Sequence, residues 1–315
     1  MHVLVTGAGL VGTSVALTAG ARHRTALLDV AANHRYLRER MGSDVQLLSC
    51  DITNLGPMAE LIAQDPPDAI VHSAGLIGEK MAAAPHLAVE VNVAGTVAVL
   101  EAARYAGVRR VVVVGSLAVY DWGQLPPGIP VGEDAPRAPR SLYGGSKLAA
   151  EELALTYGRR GELDISVVRL AGVYGPGHYR GGSQVGALID RTVSRAAEGK
   201  PVRVPVQLGC REYLHADDAA RAIWLDLLTP LEGTRVCNVG TGEVHTRARF
   251  GAELRAALDL PAQALLPVPD EPADTPPLDI GRAAELIGYR PSVSLSEGLR
   301  ALGAARRPEP AGEAR

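Results

Sequence analysis

Apolar residues in the first half of the chain gather into short runs separated by longer stretches with helical spacing. His2-Val3-Leu4-Val5-Thr6 is the first run, and Thr25-Ala26-Leu27-Leu28, Val45-Gln46-Leu47-Leu48, Ala69-Ile70-Val71-His72, Val111-Val112-Val113-Val114 and Ile165-Ser166-Val167-Val168-Arg169-Leu170 come after it. Thr13 to Ala19, Val89 to Tyr105 and Ser141 to Arg159 carry the apolar period of helices. Strand and helix alternating at this pace predict βαβ units, an α/β class and a doubly wound parallel sheet.

The rhythm changes after residue 170. Gly172-Val173-Tyr174-Gly175-Pro176-Gly177 breaks sharply, and short helices, prolines and loops follow. Residues 1–170 are expected to form a dinucleotide-binding Rossmann domain, with a segment near 210–240 returning to it. That segment includes a helix from Asp218 to Leu228, led in by Arg211 to Asp217, and a late strand, Val236 to Gly240. Residues 171–209 and 241–302 are expected to build a smaller substrate-binding domain over the mouth of the sheet, and residues 303–315 a flexible tail. Leu125 to Arg140 is rich in proline and reads as a loop returning over the cleft.

Composition narrows the function. The 315 residues are 47% hydrophobic and 21% charged, with a net charge of −3 and a pI near 6.3. No nucleic-acid footprint is expected from that balance. No uninterrupted apolar run of about 18 residues predicts a membrane span. Cys50, Cys210 and Cys237 are odd in number and lack metal-type spacing, so they read as reduced residues of a cytoplasmic protein. The eight histidines show no metalloenzyme spacing, and no metal is expected. His72 reads as a packed or backbone-bonded side chain. Asp217-Asp218 reads as a helix cap.

Two motifs carry chemistry. Gly7-Ala8-Gly9-Leu10-Val11-Gly12 follows the first strand and opens a helix, the context that makes G-x-G-x-x-G a dinucleotide fingerprint. Gly7 serves the tight turn, Gly9 the approach of a pyrophosphate and Gly12 the packing of helix on strand. Asp29 ends the second strand, 22 residues after Gly7, where a carboxylate would bond both adenosine ribose hydroxyls and repel a 2′-phosphate. NAD is therefore expected, with Arg35 and Arg38 keeping NADP as a minor option. The second motif is Tyr143-Gly-Gly-Ser-Lys147, whose phenol and ammonium lie on one helix face. A nearby cation favours the phenolate of a group whose free pKa is about 10. Ser116 ends the fifth apolar run and adds a hydroxyl. Gly144 and Gly145 are poor helix formers, which suggests a close approach to the backbone there.

Taken together, these residues resemble the extended short-chain dehydrogenases/reductases, in particular the NAD-dependent epimerase/dehydratase group with its UDP-galactose 4-epimerase-like members. The carriers include Thr6-Gly7 to Gly12, Asp51-Ile52, His72 to Gly75, Asn92 with Gly95-Thr96, Gly115-Ser116, Tyr143 to Lys147, Arg169 with Val173 to Pro176, and Arg211 to Asp218. The resemblance implies that Asp51 and Ile52 flank the adenine, and that Ser73, Ala74, Gly75 and Leu76 line the cofactor. Asn92 would sit behind the nicotinamide, while Ala171 and Val173 would reach it. Ser116 and Tyr143 would hold the reacting oxygen, with Lys147 on the nicotinamide ribose. Leu117, Gly172 and Arg211 would meet the substrate. Independently of the resemblance, Trp122, His178, Tyr179 and Arg180 follow two strand-end turns, where they either line the substrate mouth or serve ordinary loop packing. A homodimer would form through helices near 92–106 and 146–159.

The chain also departs from that group. Its glycine turn is one residue shorter than TGxxGxxG. Gly172 stands where sugar-nucleotide enzymes place an asparagine, and Ile77 where the epimerases carry a lysine. Pro205-Val206-Gln207 replaces an aromatic-rich stretch. The expected activity is hydride transfer between nicotinamide and a carbinol carbon of a sugar or nucleotide-sugar, with Tyr143 as acid/base. A dehydrogenase of a non-nucleotide sugar acid or small alcohol is one alternative, and a non-catalytic dinucleotide-binding protein another.

Overall fold

The computed structural model describes residues 1–42, 46–177, 183–269 and 275–306. Its strands are β1 (His2–Thr6), β2 (Arg24–Leu28), β3 (Gln46–Leu48), β4 (Ala69–His72), β5 (Arg110–Ser116), β6 (Asp164–Leu170), β7 (Gly172–Tyr174), β8 (Arg211–His215), β9 (Thr234–Val239) and β10 (Val244–His245). Among the described residues, seven of them form one sheet in the order β3-β2-β1-β4-β5-β6-β9, and every pairing is parallel. The Rossmann architecture expected from the sequence is therefore present. Its strand order reverses between β1 and β4, the point where doubly wound sheets open a crevice beyond their carboxyl ends.

Both faces of this sheet are covered, which is why its strands are apolar throughout instead of alternating. Val3, Val5, Val112 and Val114 point into one core, while Leu4, Val111 and Val113 point into the other. On the first face the helix Leu10–Ala19 packs against the helix Ala216–Leu228 through Ala16, Ala19, Ala219, Ala220 and Ala222. Trp224 fastens the pair by donating its indole N–H to the Val15 carbonyl at 2.8 Å. On the second face lie the helices Leu55–Gln64 and Leu142–Arg159 and the helical stretch from Pro85 to Tyr105. That stretch is long and apolar enough to cross a bilayer. Its buried Asn92 and Thr96, however, are bonded to other parts of the fold, as suits a core helix.

Past β6 the chain leaves the large sheet. The Gly172–Tyr174 segment, expected to be a break, is the strand β7, and Arg211–His215, expected to be a lead-in, is β8. With β10 they form a second sheet of three strands. Buried Glu212 organises that region, accepting the backbone N–H groups of Thr241 (2.5 Å), Gly242 (2.9 Å) and Leu278 (2.8 Å). A third core, with Tyr174, Tyr213, Phe250, Leu254 and Leu299, fills the space beneath.

Several boundaries move. β5 runs on to Ser116, because that residue still pairs with Leu170, and the helix before it starts at Pro85. Val45 lies outside the described residues. The cap of the Ala216–Leu228 helix is His215, whose ring accepts the Asp217 N–H at 3.3 Å. Asp218 instead bonds Ser292 and Val293, anchoring the chain after Tyr289. The last helix reaches Ala304 with Gly303 buried, and residues 307–315 lie outside the described set.

At the amino ends of the strands, fully buried Asp226 accepts from Arg110 at 2.6 Å and Arg235 at 3.0 Å, joining helix Ala216–Leu228 to β5 and β9. Removing the shared carboxylate deprives two guanidinium groups of their partner. Asp226→Ala should lower unfolding free energy by about 3–5 kcal/mol in denaturant titration.

Candidate active site

The glycine turn is shaped by what each position excludes. Gly7 has φ +89°, and a Cβ there would stand 2.8 Å from the Ala74 backbone. A Cβ on Gly12 would overlap the Gly7 carbonyl, so strand and helix touch at this point. Gly9 differs: a Cβ built on it meets nothing within 4 Å. It faces open space at the start of the Leu10–Ala19 helix, whose end has no side-chain cap. An uncapped helix start beside an open glycine fits the pyrophosphate of a dinucleotide. Leu10 and Val11 form the half-buried wall of the turn.

Asp29 sits at the end of β2 and holds the turn, accepting the Ala8 N–H at 2.8 Å through one oxygen and the Ala31 N–H at 2.8 Å through the other. Its carboxylate remains part-exposed beside the cradle, suited to a ribose diol. Arg35 is committed to Glu39 at 2.7 Å, which weakens its claim on a 2′-phosphate. Asp51 accepts from the Thr53 N–H and hydroxyl, both at 2.9 Å, and presents buried Ile52 against Gly95. The residues present fit NAD.

Beyond β4 the chain is held by a line of polar side chains. Ser73 donates to the Thr6 carbonyl at 2.7 Å, and Ala74 lies against Gly7. Asn92 accepts the Leu76 N–H at 2.7 Å and donates to the Leu76 carbonyl at 2.9 Å, fixing the segment through Gly75 and Leu76. Its amide also donates to Ser146 at 3.0 Å, and Ser146 donates to the Tyr143 carbonyl at 2.9 Å. Asn92 lies within a π-helical turn, Glu90–Ala94. That widened turn interrupts the α-helical register at the residue that spans both walls of the site.

Ser116 is the last residue of β5, and its hydroxyl accepts the Ala118 N–H at 3.1 Å. Tyr143 lies in the first turn of the helix Leu142–Arg159, which Ser141 caps by accepting the Gly144 N–H at 3.0 Å. The close approach at Gly144 is made by the Ser116 segment: a Cβ there would overlap the Ala118 carbonyl. Gly145 faces open space. Burial pushes the Tyr143 phenol above its ordinary pKa, and a hydrogen bond with Ser116 pulls it partly back. Burial also lowers Lys147 to about 8, against the attraction of Glu151. The spacing predicts a phenol acidified by the lysine; in the fold, burial outweighs the Ser116 hydrogen bond at Tyr143 and the pull of Glu151 at Lys147.

On the substrate side, Ala171 is held by its N–H on the Val239 carbonyl at 2.9 Å, and Val173 is buried in β7. A Cβ on Gly172 would lie 2.9 Å from the Glu212 carbonyl oxygen. Leu117 is half-buried and accepts the Trp122 indole N–H at 2.9 Å. Exposed Arg211 donates its Nε to the Gln207 carbonyl at 2.5 Å, just after Cys210, which adopts φ 50°. His178, Tyr179 and Arg180 lie outside the described residues.

Sequence reasoning missed Ser146 and Glu151 and left His72 without partners. His72 accepts from the Thr6 hydroxyl at 2.7 Å and donates to Thr96 at 2.9 Å, because Thr96 spends its own proton on the Asn92 carbonyl at 2.7 Å. Burial and the Lys147 charge depress its pKa to about 3. Between about 6.5 and about 3 the unfolded chain binds a proton that the folded chain refuses, so stability is lost as pH falls through that window. From about pH 7 to about pH 5 the loss due to His72 is about 2 kcal/mol. In His72→Gln, unfolding free energy should fall less over that interval than in the parent, read by denaturant titration.

The sequence profile of the NAD dependent epimerase/dehydratase family matches residues 3–240. A UDP-glucose 4-epimerase of Mycolicibacterium smegmatis is 33% identical over 322 residues, covering 95% of this chain and 96% of the relative. A dTDP-glucose 4,6-dehydratase of Streptomyces antibioticus is 30% identical, over 79% of this chain and 72% of its own length. Among solved structures, the Thermus thermophilus UDP-glucose 4-epimerase in complex with NAD superposes with a TM-score of 0.81 at 29% identity, covering 98% of this chain and all of that one. The cradle, the serine, the tyrosine and the lysine thus occur in a chain whose whole length follows this pattern, and the protein belongs to the NAD-dependent epimerase/dehydratase family, as an NAD-dependent enzyme of the extended short-chain dehydrogenase/reductase type.

Proposed function

We propose that the protein is a nucleotide-sugar epimerase that moves a hydride between the nicotinamide and a carbinol carbon of the sugar ring. The observation that carries this reading is the convergence of Ser116 and Tyr143, at the carboxyl end of β5 and the start of the facing helix, with Lys147 one turn on. Support from outside the chain comes from its likeness to UDP-glucose 4-epimerases over nearly its full length.

In this reading Tyr143 accepts the proton of the substrate hydroxyl and Ser116 bonds the same oxygen. NAD held in the glycine cradle would supply the hydride acceptor, and its ring charge would favour the tyrosinate that burial alone disfavours. Epimerisation would then end with hydride returned to the opposite face of the ketone as Tyr143 gives the proton back to its oxygen. Lys147 would hold the nicotinamide ribose, and Asn92 keeps the helix and the Gly75-Leu76 wall in register. Residues 171–209 and 241–302 would form the substrate-binding part, with Leu117, Gly172 and Arg211 at its mouth.

One observation favours a second reading, a dehydrogenase of a non-nucleotide sugar acid or small alcohol. The backbone at Gly172 is too close to Glu212 to admit the asparagine that sugar-nucleotide enzymes of the family carry there. A smaller substrate would not need it.

The protein is further proposed to be cytoplasmic, consistent with Cys50, Cys210 and Cys237 forming no disulfide, and homodimeric. The helices near 92–106 and 146–159 would pair with a partner's copies, and Tyr105 and Leu153 are the large apolar side chains exposed on them. Sedimentation should give a dimer mass, and Leu153→Asp should shift it toward the monomer.

Incubation with NAD and a panel of UDP-sugars, dTDP-glucose and free sugar acids tests the activity. Epimeric products without accumulated NADH are expected; NADH formed from a free sugar acid would instead establish the second reading. Tyr143→Phe should lower turnover by roughly 10²- to 10⁴-fold with NAD affinity retained. Full turnover in that variant would remove Tyr143 from the acid/base role.

A further inference from the structure

Behind the proposed site lies a buried polar cluster that none of the roles above uses. Its centre is Arg169 on β6, 2% exposed, and its main partner is Glu151, 1% exposed, one helical turn beyond Lys147. The two form a fork: Arg169 donates its Nε to one Glu151 oxygen at 3.0 Å and a terminal nitrogen to the other at 2.5 Å. The remaining guanidinium nitrogen donates to the Tyr120 hydroxyl and the Glu133 carbonyl, both at 2.7 Å. Tyr120 donates onward to Asn238 at 2.6 Å, and the Asn238 N–H donates to the Glu133 carboxylate at 2.8 Å.

The placing of these groups is specific. Tyr120 and Glu133 belong to the segment that connects Ser116 to Tyr143, and Glu151 belongs to the helix that carries Tyr143 and Lys147. Arg169 therefore grips both arms of the site at once. Gly115, the residue before Ser116, pairs with Arg169 in register, and a Cβ there would lie 3.2 Å from the Arg169 stem. A side chain at 115 would obstruct the arginine from crossing β5. A bidentate fork is also directional, so it fixes the rotation and height of the helix and not merely its proximity.

We infer that Glu151 and Arg169 are positioning residues for the reaction, the fork between them setting Tyr143 and Lys147 against Ser116. The inference rests on the acid/base reading of Tyr143 given above. Lys147 feels Glu151 from its own helix and neutral His72 from β4, with Arg169 and Arg137 both bonded to Glu151 behind it. Glu151 is thus the acid that supports the Lys147 charge, and its loss lowers the lysine pKa.

The chain has three lysines, Lys80, Lys147 and Lys200, so competitive acetylation read by mass spectrometry titrates Lys147 individually, without substrate. In Glu151→Gln the Lys147 pKa should fall by about one unit and return in Glu151→Asp, which keeps the charge. Turnover on the panel substrate should fall roughly tenfold to hundredfold in Glu151→Gln while NAD affinity, measured by calorimetry, holds within about threefold. A Lys147 titration that Glu151→Gln leaves in place overturns the inference, as does NAD affinity lost in step with turnover. Should Glu151→Gln fail to fold, Arg169→Lys serves: it keeps the charge without the fork, and turnover at the parent level in that variant overturns the inference equally. Tyr143→Phe run in parallel separates the two claims, since its full activity would defeat the acid/base reading and leave the lysine titration to decide the role of Glu151.

Discussion

The carboxyl end of the sheet is closed by one buried guanidinium. Taking Arg169 out of water costs several kcal/mol, a cost offset only when its donors are satisfied. Here they reach a carboxylate, a phenol and a backbone carbonyl, and burial is outweighed, so the arginine stays charged well above its ordinary range. These three acceptors come from stretches of chain that make no regular sheet contacts with one another. Besides the arginine, the proline-rich loop between Ser116 and Tyr143 is held by the Val131–Leu278 bridge, by Asn238 bonded to Tyr120, Val131 and Glu133, and by ion pairs to Arg282.

A second tension runs through the site itself. Enclosing Tyr143 and Lys147 disfavours the charged form of each, so at rest the phenol is neutral and the lysine lies near its titration point. That is a costly arrangement for an ordinary core and a useful one for proton transfer, because small changes in local charge redistribute the proton. His72 next door is neutral and spends both ring nitrogens on hydroxyls, so it adds no competing charge.

Local pattern made some of this legible and left the rest hidden. The places of the glycine turn, Asp29, Ser116 and the Tyr143–Lys147 helix were readable because each depends on residues close in sequence or on strand ends. β7 and β8 were not, since three residues beside Gly175 and Pro176 look like a turn until a partner strand is known. Asp218 looks like a cap because acids gather at helix starts; its true partners lie 74 and 75 residues away. Glu151, Arg169 and Asn238 share the same limit. A buried ion pair between a helix and a strand leaves no periodic signature, and the glycine at 115 that makes room for it looks like any other.

The widened turn at Glu90–Ala94 restricts how this chain can change. A π turn holds one residue more than the α-helix around it, so the helix on either side is in phase only with that surplus residue present. Deleting a single residue there would restore a regular helix and look harmless to local propensity. It would also swing everything before the turn by about a quarter revolution relative to the helix beyond it, parting Asn92 from either Leu76 or Ser146. Length in this segment is therefore as constrained as residue identity, and insertions or deletions have to be absorbed in the loops outside it.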